Sequence, residues 1–123
     1  MGEKKDKLVF VATCAEEHPE KATIPFVLAN AALAMDVEAV VVLQMTGVYL
    51  AMNKYARHVQ AGGFPPLQEL MEAFLEEGGK IWVCDPCIQV RQIDPSELIE
   101  GAEIVAGASL IDAFIDAKNV VVY

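Results

Sequence analysis

The sequence predicts an α/β fold in which a mostly parallel sheet carries helices on both faces. Short apolar segments alternate five times with segments of helical character along the 123 residues. The apolar residues are mainly Val, Ala, Ile and Leu, and aromatic residues make up only 7% of the chain. Aliphatic strands of this kind are typical of parallel sheets that are buried on both faces. These observations favour an α/β sandwich over an all-β fold.

The first strand and the first helix follow one another near the start of the chain. The apolar run 8–13 predicts a buried strand. Residues 20–35 predict a helix in which Pro25 marks either a later start near Thr23 or a kink. Beyond Pro25 this helix carries one polar side chain, that of Asn30, before it ends. A helix that is apolar on nearly all sides is covered by two layers, so we expect its own sheet on one side and another subunit on the other.

The middle of the chain predicts a second strand and two further helices. Residues 39–44 form an apolar strand, and a short helix over 48–52 follows it. Residues 67–77 have apolar side chains at the helical period and glutamates elsewhere, which is typical of an amphipathic helix on a sheet. Gly78 and Gly79 mark the end of this helix.

The remaining segments predict three strands and two helices. Residues 80–84 form the third strand, and a short helix begins at 85–87. A fourth strand over 103–105, a helix over 109–117 and a fifth strand over 119–123 complete the alternation. Strands that alternate with helices in this way predict a parallel sheet covered on both faces.

One domain is expected over residues 1–123, with the charged residues 1–7 as a flexible N-terminus. The chain has 9 basic and 18 acidic residues, which gives a net charge of −9. Such a charge repels phosphate backbones and anionic lipids, so we expect neither nucleic-acid binding nor membrane binding. The mean hydropathy of +0.35 is high for a small monomer, so we expect a homo-oligomer.

The sequence favours a cytoplasmic location. No apolar run approaches the roughly 18 residues of a membrane-spanning helix. The basic opening and the apolar run 8–12 have only the outline of a signal peptide, since the run is short, acidic residues interrupt the basic ones and no cleavage site follows. Cys14 follows Thr13, where a lipoprotein signal requires Gly or Ala.

All three cysteines fall on loops that follow predicted strands. Cys14 and His18 come after the first strand, residues 44–47 after the second, and Cys84 and Cys87 at the end of the third. Because ligands bind at the carboxyl ends of parallel strands, this edge is the candidate site. Free cysteines often lie inside strands or helices as small apolar side chains, so their clustering at one edge indicates chemistry.

The Cys-x-x-Cys sequence of Cys84 and Cys87 is typical of a redox dithiol, half of a zinc site or a reactive thiol with a neighbour. A zinc site needs four ligands, and only Cys14 and His18 remain to join the pair, so we expect no metal. A thioredoxin-like module carries its pair after the first strand, whereas here the pair follows the third. A nucleophilic thiol remains, against the alternative that Cys84 is a buried core residue.

Cys87 lies in the first turn of the predicted short helix, where free backbone N–H groups favour a thiolate. The same donors face Cys84, and Arg91 adds positive charge one turn further on. A thiolate is the form that attacks sulfur, so this arrangement suits sulfur transfer. No Gly-x-Gly-x-x-Gly sequence follows a strand and no Walker lysine is present, so we expect no nucleotide and no other cofactor.

Binding without catalysis is a second interpretation. In it the apolar first helix mediates contacts between subunits, and a small molecule binds in a pocket between them. Five residues at the same edge of the sheet are the candidate binding residues: Thr13, Cys14, His18, Thr46 and Gly47. A third interpretation is a redox protein that uses a reversible disulfide between Cys84 and Cys87.

Four segments follow one another in a recognisable order and spacing. They are the stretch 20–26 with the Ala-rich run after it, Val42-Leu43, the stretch 47–50 and, above all, Ile81-Trp82-Val83-Cys84. Together they resemble the DsrE/DsrF/DsrH-like proteins, which include TusD-type sulfur relay subunits, from Leu8 to the end of the chain. The resemblance implies a three-layer α/β/α sandwich with a parallel five-stranded sheet, assembled as a homotrimer or homohexamer.

The resemblance also implies that Cys84 carries sulfur as a persulfide in cytoplasmic sulfur transfer, with sulfur donor and acceptor proteins as partners. Cys87 is additional to the single cysteine of the simplest carriers, and Cys14 lies outside the shared pattern. The leading hypothesis is therefore a sulfur carrier or sulfurtransferase-like protein in which Cys84 is the nucleophile and Cys87 protects or resolves it.

Overall fold

The computed structural model describes residues 4–123, which form a sheet with helices on both faces. The strands are β1 Lys7–Ala12, β2 Glu38–Leu43, β3 Lys80–Cys84, β4 Ala102–Val105 and β5 Asn119–Val122. Across the sheet their order is β4-β3-β2-β1-β5, and every neighbouring pair is parallel. The predicted α/β sandwich with a five-stranded parallel sheet is confirmed.

Helices and 3-10 segments connect the strands of the described chain. The α-helices are α1 Pro19–Ala34, α2 Leu67–Glu76, α3 Asp85–Val90 and α4 Gly107–Asp116. The 3-10 segments are Met45–Ala51, Ala56–His58 and Pro95–Glu97, so the short helix expected over 48–52 is a 3-10 segment that begins directly after β2. Pro25 lies inside α1 and does not delay its start. None of the helices within residues 4–123 has the length and hydropathy that a membrane crossing requires.

Two apolar clusters, one on each face of the sheet, hold the layers together. Successive side chains of a strand point to opposite faces, so Phe10 and Val41 join the cluster under α1 and α2, while Val9 and Val40 join the cluster under α4. The chain moves in one direction from β1 to β4 and then returns through α4 to β5, which lies beside β1. Because crossovers between parallel strands are right-handed, this reversal places α4 on the opposite face and produces the three layers.

α2 of the same chain packs against α1 and forms a second covering layer over it. The rings of Phe26 and Phe74 meet edge to face with their centroids 5.8 Å apart. The side-chain amide of Asn30 donates a hydrogen bond to the carbonyl oxygen of Leu70 over 3.0 Å. The sequence analysis did not foresee this cover, which the amphipathic α2 supplies by burying its apolar side on the same side of the sheet.

The described part of the charged N-terminus is paired with acidic residues. Lys4 pairs with Asp116, and the ammonium of Lys5 lies 2.8 Å from the carboxylate of Asp36. β1 then begins at Lys7. The flexible N-terminus predicted over residues 1–7 also includes residues 1–3, which lie outside the described residues.

Candidate functional site

The loops that follow β1, β2 and β3 lie at one edge of the sheet because the three strands are parallel. Cys14 lies in the loop after β1, and Met45 begins the segment after β2. Cys84 is the last residue of β3, and Cys87 lies in the first turn of α3. All three cysteines are free thiols. This edge therefore carries every sulfhydryl group of the chain.

Thr13 joins the loop after β1 to the end of β5. Its backbone N–H and its hydroxyl both donate hydrogen bonds to the carbonyl oxygen of Tyr123, over 3.0 Å and 2.7 Å. The Sγ atom of Cys14 lies 3.8 Å from the Thr13 hydroxyl oxygen, so the polar contact of this thiol is with its own neighbour in sequence. The loop that holds Cys14 is thereby fixed to the edge strand β5.

Thr46 joins the loop after β2 to the loop after β1. Its hydroxyl lies 3.2 Å from the carbonyl oxygen of Thr13 and also donates to the carboxylate of Glu17. Glu17 accepts a second hydrogen bond, from the N–H of Ala15 over 2.7 Å. Burial raises the pKa of Glu17, but the hydrogen bonds from Thr46 and Ala15 outweigh burial and hold the pKa below its usual value. These hydrogen bonds therefore join the two loops to one another.

Met45 and Gly47 give the segment after β2 its unusual path. Met45 has φ +54°, in the left-handed region that non-glycine residues rarely occupy. Gly47 is buried, and a Cβ atom on it would overlap the carbonyl oxygen of Ala12. The end of β1 thus lies directly against Gly47. Three of the candidate binding residues, Thr13, Thr46 and Gly47, hold the loops together through these contacts.

His18 stands at the start of α1 but does not cap it with its side chain. Its backbone N–H donates to the carbonyl oxygen of Ala15 over 3.1 Å. The side chain lines a surface cavity together with Glu17, Pro19 and Gln60, and no cysteine is among the lining residues. His18 therefore lies on the rim of the site, outside the contacts of the thiols.

Cys84 is a buried thiol, with 9% of the residue exposed. Its pKa is raised above the ordinary value, first by burial and then by the neighbouring thiol of Cys87, while the backbone N–H of Cys87 acts in the opposite direction. The expected thiolate at Cys84 is therefore not what the structure favours at neutral pH. The backbone N–H of Cys87, at the start of α3, does not outweigh the loss of water around the sulfur.

Cys87 is partly exposed, in contrast to Cys84. The backbone N–H of Met45 donates a hydrogen bond to its Sγ atom over 3.3 Å. Arg91 donates to the backbone carbonyl oxygen of Cys87 over 3.1 Å, and its guanidinium lies 5.9 Å from the ring centroid of Tyr49. Arg91 thus fixes the end of α3 through the backbone rather than through the thiol.

Cys14 lies apart from the Cys84 and Cys87 pair. β2 runs between β1 and β3, and strands of a sheet are about 4.8 Å apart, so the ends of β1 and β3 are on the order of 10 Å apart. The structure thus brings together Cys84, Cys87 and the backbone of Met45, with Cys14 at a neighbouring position. Within residues 4–123, no three His, Cys, Asp or Glu side chains gather as ligands of a metal ion would.

Sequence reasoning did not assign a role to two residues of this edge, Met45 within the stretch 44–47 and Glu17. Met45 contributes a backbone N–H group, which every residue except proline has, and a methionine side chain gives no signal of a positive φ. Glu17 was not among the candidate residues, although its carboxylate accepts a hydrogen bond from Thr46 in the next loop. The glycine at position 47 was the one available signal of close backbone approach here.

Comparisons with known proteins place this fold in a family. A family model described as DsrE/DsrF-like matches residues 6–123. The uncharacterized protein MJ0760 of Methanocaldococcus jannaschii is 34% identical over 117 residues, which are 95% of this chain and 42% of that protein. This chain therefore spans about two fifths of the length of that relative. The uncharacterized protein MJ0989 of the same organism is 29% identical over 95% of this chain and 99% of its own length.

Solved structures share the fold at low sequence identity. The ychN protein from E. coli has a TM-score of 0.81 at 22% identity and covers 96% of this chain and 99% of its own. The protein BT1422 from Bacteroides thetaiotaomicron has a TM-score of 0.72 at 16% identity, with 96% and 95% covered. The protein MTH1491 from Methanobacterium thermoautotrophicum has a TM-score of 0.65 at 16% identity, with 90% and 92% covered. These likenesses concern the fold alone.

Proposed function

Because the chain belongs to the DsrE/DsrF-like family, we propose that it is a sulfur carrier that holds sulfur as a persulfide on Cys84. The observation that carries the proposal is a buried thiol at the end of an inner strand, three positions before the partly exposed thiol of Cys87 in the first turn of α3. A sulfur carrier must accept a sulfur atom, protect it and release it. A buried thiol with a more exposed neighbour suits all three tasks.

The proposed reaction is the transfer of a sulfane sulfur between thiols. A thiolate of this protein attacks the terminal sulfur of a donor persulfide, a new S–S bond forms, and the S–S bond of the donor breaks. The donor leaves as a thiolate and takes up a proton. The exchange is redox-neutral, so the transfer itself requires no external oxidant and no cofactor.

Burial at Cys84 supports storage of the transferred sulfur. A persulfide in this position is shielded from water and from small thiols by the apolar side chains of the core. The raised pKa of Cys84 also makes its thiolate a poor leaving group, which slows loss of the terminal sulfur to competing thiols. Both effects favour retention until a specific acceptor binds.

We propose cytoplasmic sulfur donor and acceptor proteins as partners, and a homotrimer or homohexamer as the working assembly. Exposed apolar side chains on α4 support contact between copies, since Ile111 is 56% exposed and Ile115, one turn later, is 81% exposed. The net charge of −9 favours partners whose docking surfaces are basic.

The test is intact mass spectrometry after incubation with a cysteine desulfurase and cysteine, followed by removal of the donor and peptide mapping. We expect the chain to retain one added sulfur atom on Cys84, and Cys84→Ser to retain none. Cys14→Ser is the matched control, because Cys14 lies outside the pair, and it should retain sulfur like the unaltered chain. Stable retention of sulfur in Cys84→Ser would contradict the assignment.

A dithiol redox function is the second candidate, and the position of the two cysteines favours it. Cys84 directly precedes α3 and Cys87 lies in its first turn, which is the Cys-x-x-Cys arrangement typical of a redox dithiol. In the same mass experiment, loss of two hydrogen atoms with no gain of sulfur supports this candidate over the carrier.

A further inference from the structure

The two thiols of the pair differ in their access to a donor. Cys84 is the last residue of β3 and is 9% exposed, whereas Cys87, in the first turn of α3, is partly exposed. A persulfide carried on another protein must bring its terminal sulfur into contact with the attacking thiol. That approach is open at Cys87 and obstructed at Cys84, because Cys84 packs into the apolar cluster under α1 and α2.

Cys87 also has a fixed hydrogen-bond donor at its sulfur. The N–H of Met45 points at Sγ over 3.3 Å. A donor of this kind bonds more strongly to an anionic sulfur than to a neutral thiol, so it stabilises the attacking and the leaving form of the sulfur. The position of this N–H is set by the left-handed φ of Met45 and by the bonds of Thr46 to Thr13 and Glu17.

We infer that Cys87 is the entry and exit thiol of the site, through which sulfur passes from an external persulfide to Cys84 and back. This inference rests on the proposed function and adds a division of labour between the two cysteines. Cys87 exchanges sulfur with partners, and Cys84 stores it.

The relay has two balanced steps. In the first, the Cys87 thiolate attacks the terminal sulfur of the donor persulfide, the donor S–S bond breaks, and the donor thiolate takes up a proton. In the second, the Cys84 sulfur attacks the terminal sulfur now on Cys87, the S–S bond at Cys87 breaks, and the proton of Cys84 passes to the released Cys87. No electrons are gained or lost by the pair as a whole.

The environment of Cys84 gives the second step its direction. In an exchange between two thiols, the sulfur atom remains longer on the thiol that is the poorer leaving group. Burial and the neighbouring thiol both raise the pKa of Cys84, so its thiolate leaves reluctantly. The low exposure of Cys84 also keeps external thiols away from its sulfur, whereas Cys87 is partly exposed, so sulfur that passes from Cys87 to Cys84 is retained there.

The test follows the first moments of loading with cysteine persulfide as the probe, by rapid quenching, intact mass and peptide mapping. In the unaltered chain, sulfur should be found first on Cys87 and later on Cys84. Cys87→Ser should load Cys84 about tenfold more slowly, because only the buried thiol remains. Cys84→Ser should load Cys87 at nearly the initial rate of the unaltered chain and lose the sulfur quickly when a free thiol is added.

Two outcomes separate the inference from the proposed function. Loading of Cys87→Ser at the rate of the unaltered chain overturns the entry role and leaves the carrier intact. Absence of sulfur from both cysteines of the unaltered chain removes the carrier and the relay together. A second measurement avoids any effect of substitution on folding: brief alkylation of the unaltered chain should label Cys87 before Cys84, and the reverse order overturns the inference.

Discussion

Gly47 packs against the carbonyl oxygen of Ala12 so closely that no side chain fits between them. The contact joins the end of β1 to the 3-10 segment after β2, and this segment begins with Met45, whose N–H reaches Cys87. The contact at Gly47 therefore links the ends of β1 and β2, and the bond from Met45 to Cys87 links them to the end of β3. The arrangement of the thiol site depends on a residue that itself has no functional group.

Substitution of Gly47 by alanine tests this dependence. We expect Gly47→Ala to lower the free energy of unfolding by about 1–3 kcal/mol, because the added methyl group must displace backbone. Gly62→Ala is the matched control, since Gly62 faces open space and the same substitution there should change stability by less than about 0.5 kcal/mol. Urea unfolding of both variants measures the difference, and equal stability would contradict the close packing at Gly47.

The Glu17 carboxylate should contribute stability that depends on pH. Its pKa is lower in the folded chain than the ordinary value of 4.5, because the hydrogen bonds of Thr46 and Ala15 favour the charged form despite burial. The contribution is therefore complete above pH 4.5 and is lost as the pH falls through the lowered pKa. Urea unfolding of the unaltered chain and of Glu17→Gln, from about pH 7 to about pH 3, should show a stability difference that shrinks below pH 4.5.

Thr46→Val provides the control for that measurement. It removes the hydroxyl that donates to Glu17, so Glu17→Gln should have a smaller effect in the Thr46→Val background. A stability difference that is independent of pH, or independent of Thr46, would show that the loop contact contributes nothing.

Alkylation of Cys84 should be slow at neutral pH. Burial and the Cys87 thiol raise the pKa of Cys84 above its ordinary value of 9.0, so the thiolate that reacts is scarce until the pH exceeds that value. Time courses of alkylation, with peptide mapping at a series of pH values, give the rate at Cys84. An unfolded peptide that contains Cys84 is the reference and should reach half of its maximal rate at a lower pH.

The contribution of the neighbouring thiol can be separated in the same experiment. Cys87→Ala removes that thiol and should lower the pH at which Cys84 reaches half of its maximal alkylation rate. A profile for Cys84 that coincides with that of the peptide would contradict the effect of burial.

The exposed side of α4 should determine the assembly of the protein. Replacing Ile111 and Ile115 by glutamate places charge on the two apolar side chains that α4 presents to solvent, and we expect the oligomer to dissociate. Analytical ultracentrifugation measures the molar mass. Met35→Glu is the matched control, because Met35 is 77% exposed at the end of α1, and it should leave the mass unchanged. If Met35→Glu alone caused dissociation, the contact between copies would lie on the α1 side of the sheet and not on α4.

The sequence predicted the strands well and the site only in outline. Runs such as Val40–Leu43 are buried on both faces of the sheet, and an uninterrupted apolar sequence predicts such burial. The cover on α1 was harder to predict, because an apolar surface is the same for an intramolecular helix and for a partner. The pKa direction of Cys84 was not accessible, since burial depends on the final packing and a Cys-x-x-Cys sequence does not encode it. The hydrogen bond from the N–H of Met45 to Cys87 could not be predicted, because nearly all residues have a backbone donor.

The position of β5 beside β1 has a consequence for the synthesis of this chain. Leu8 in β1 pairs with Asn119 in β5, and Thr13 donates a hydrogen bond to Tyr123. β1 is therefore synthesised well before β5, the strand with which it pairs. Contacts between segments so distant in sequence form slowly. On the ribosome, β1 therefore presents an open edge until β5 has been made, and a nascent chain that stalls before β5 exposes that edge to other chains. The loop after β1, which contains Cys14 and is bonded through Thr13 to Tyr123, therefore reaches its final position only when β5 docks.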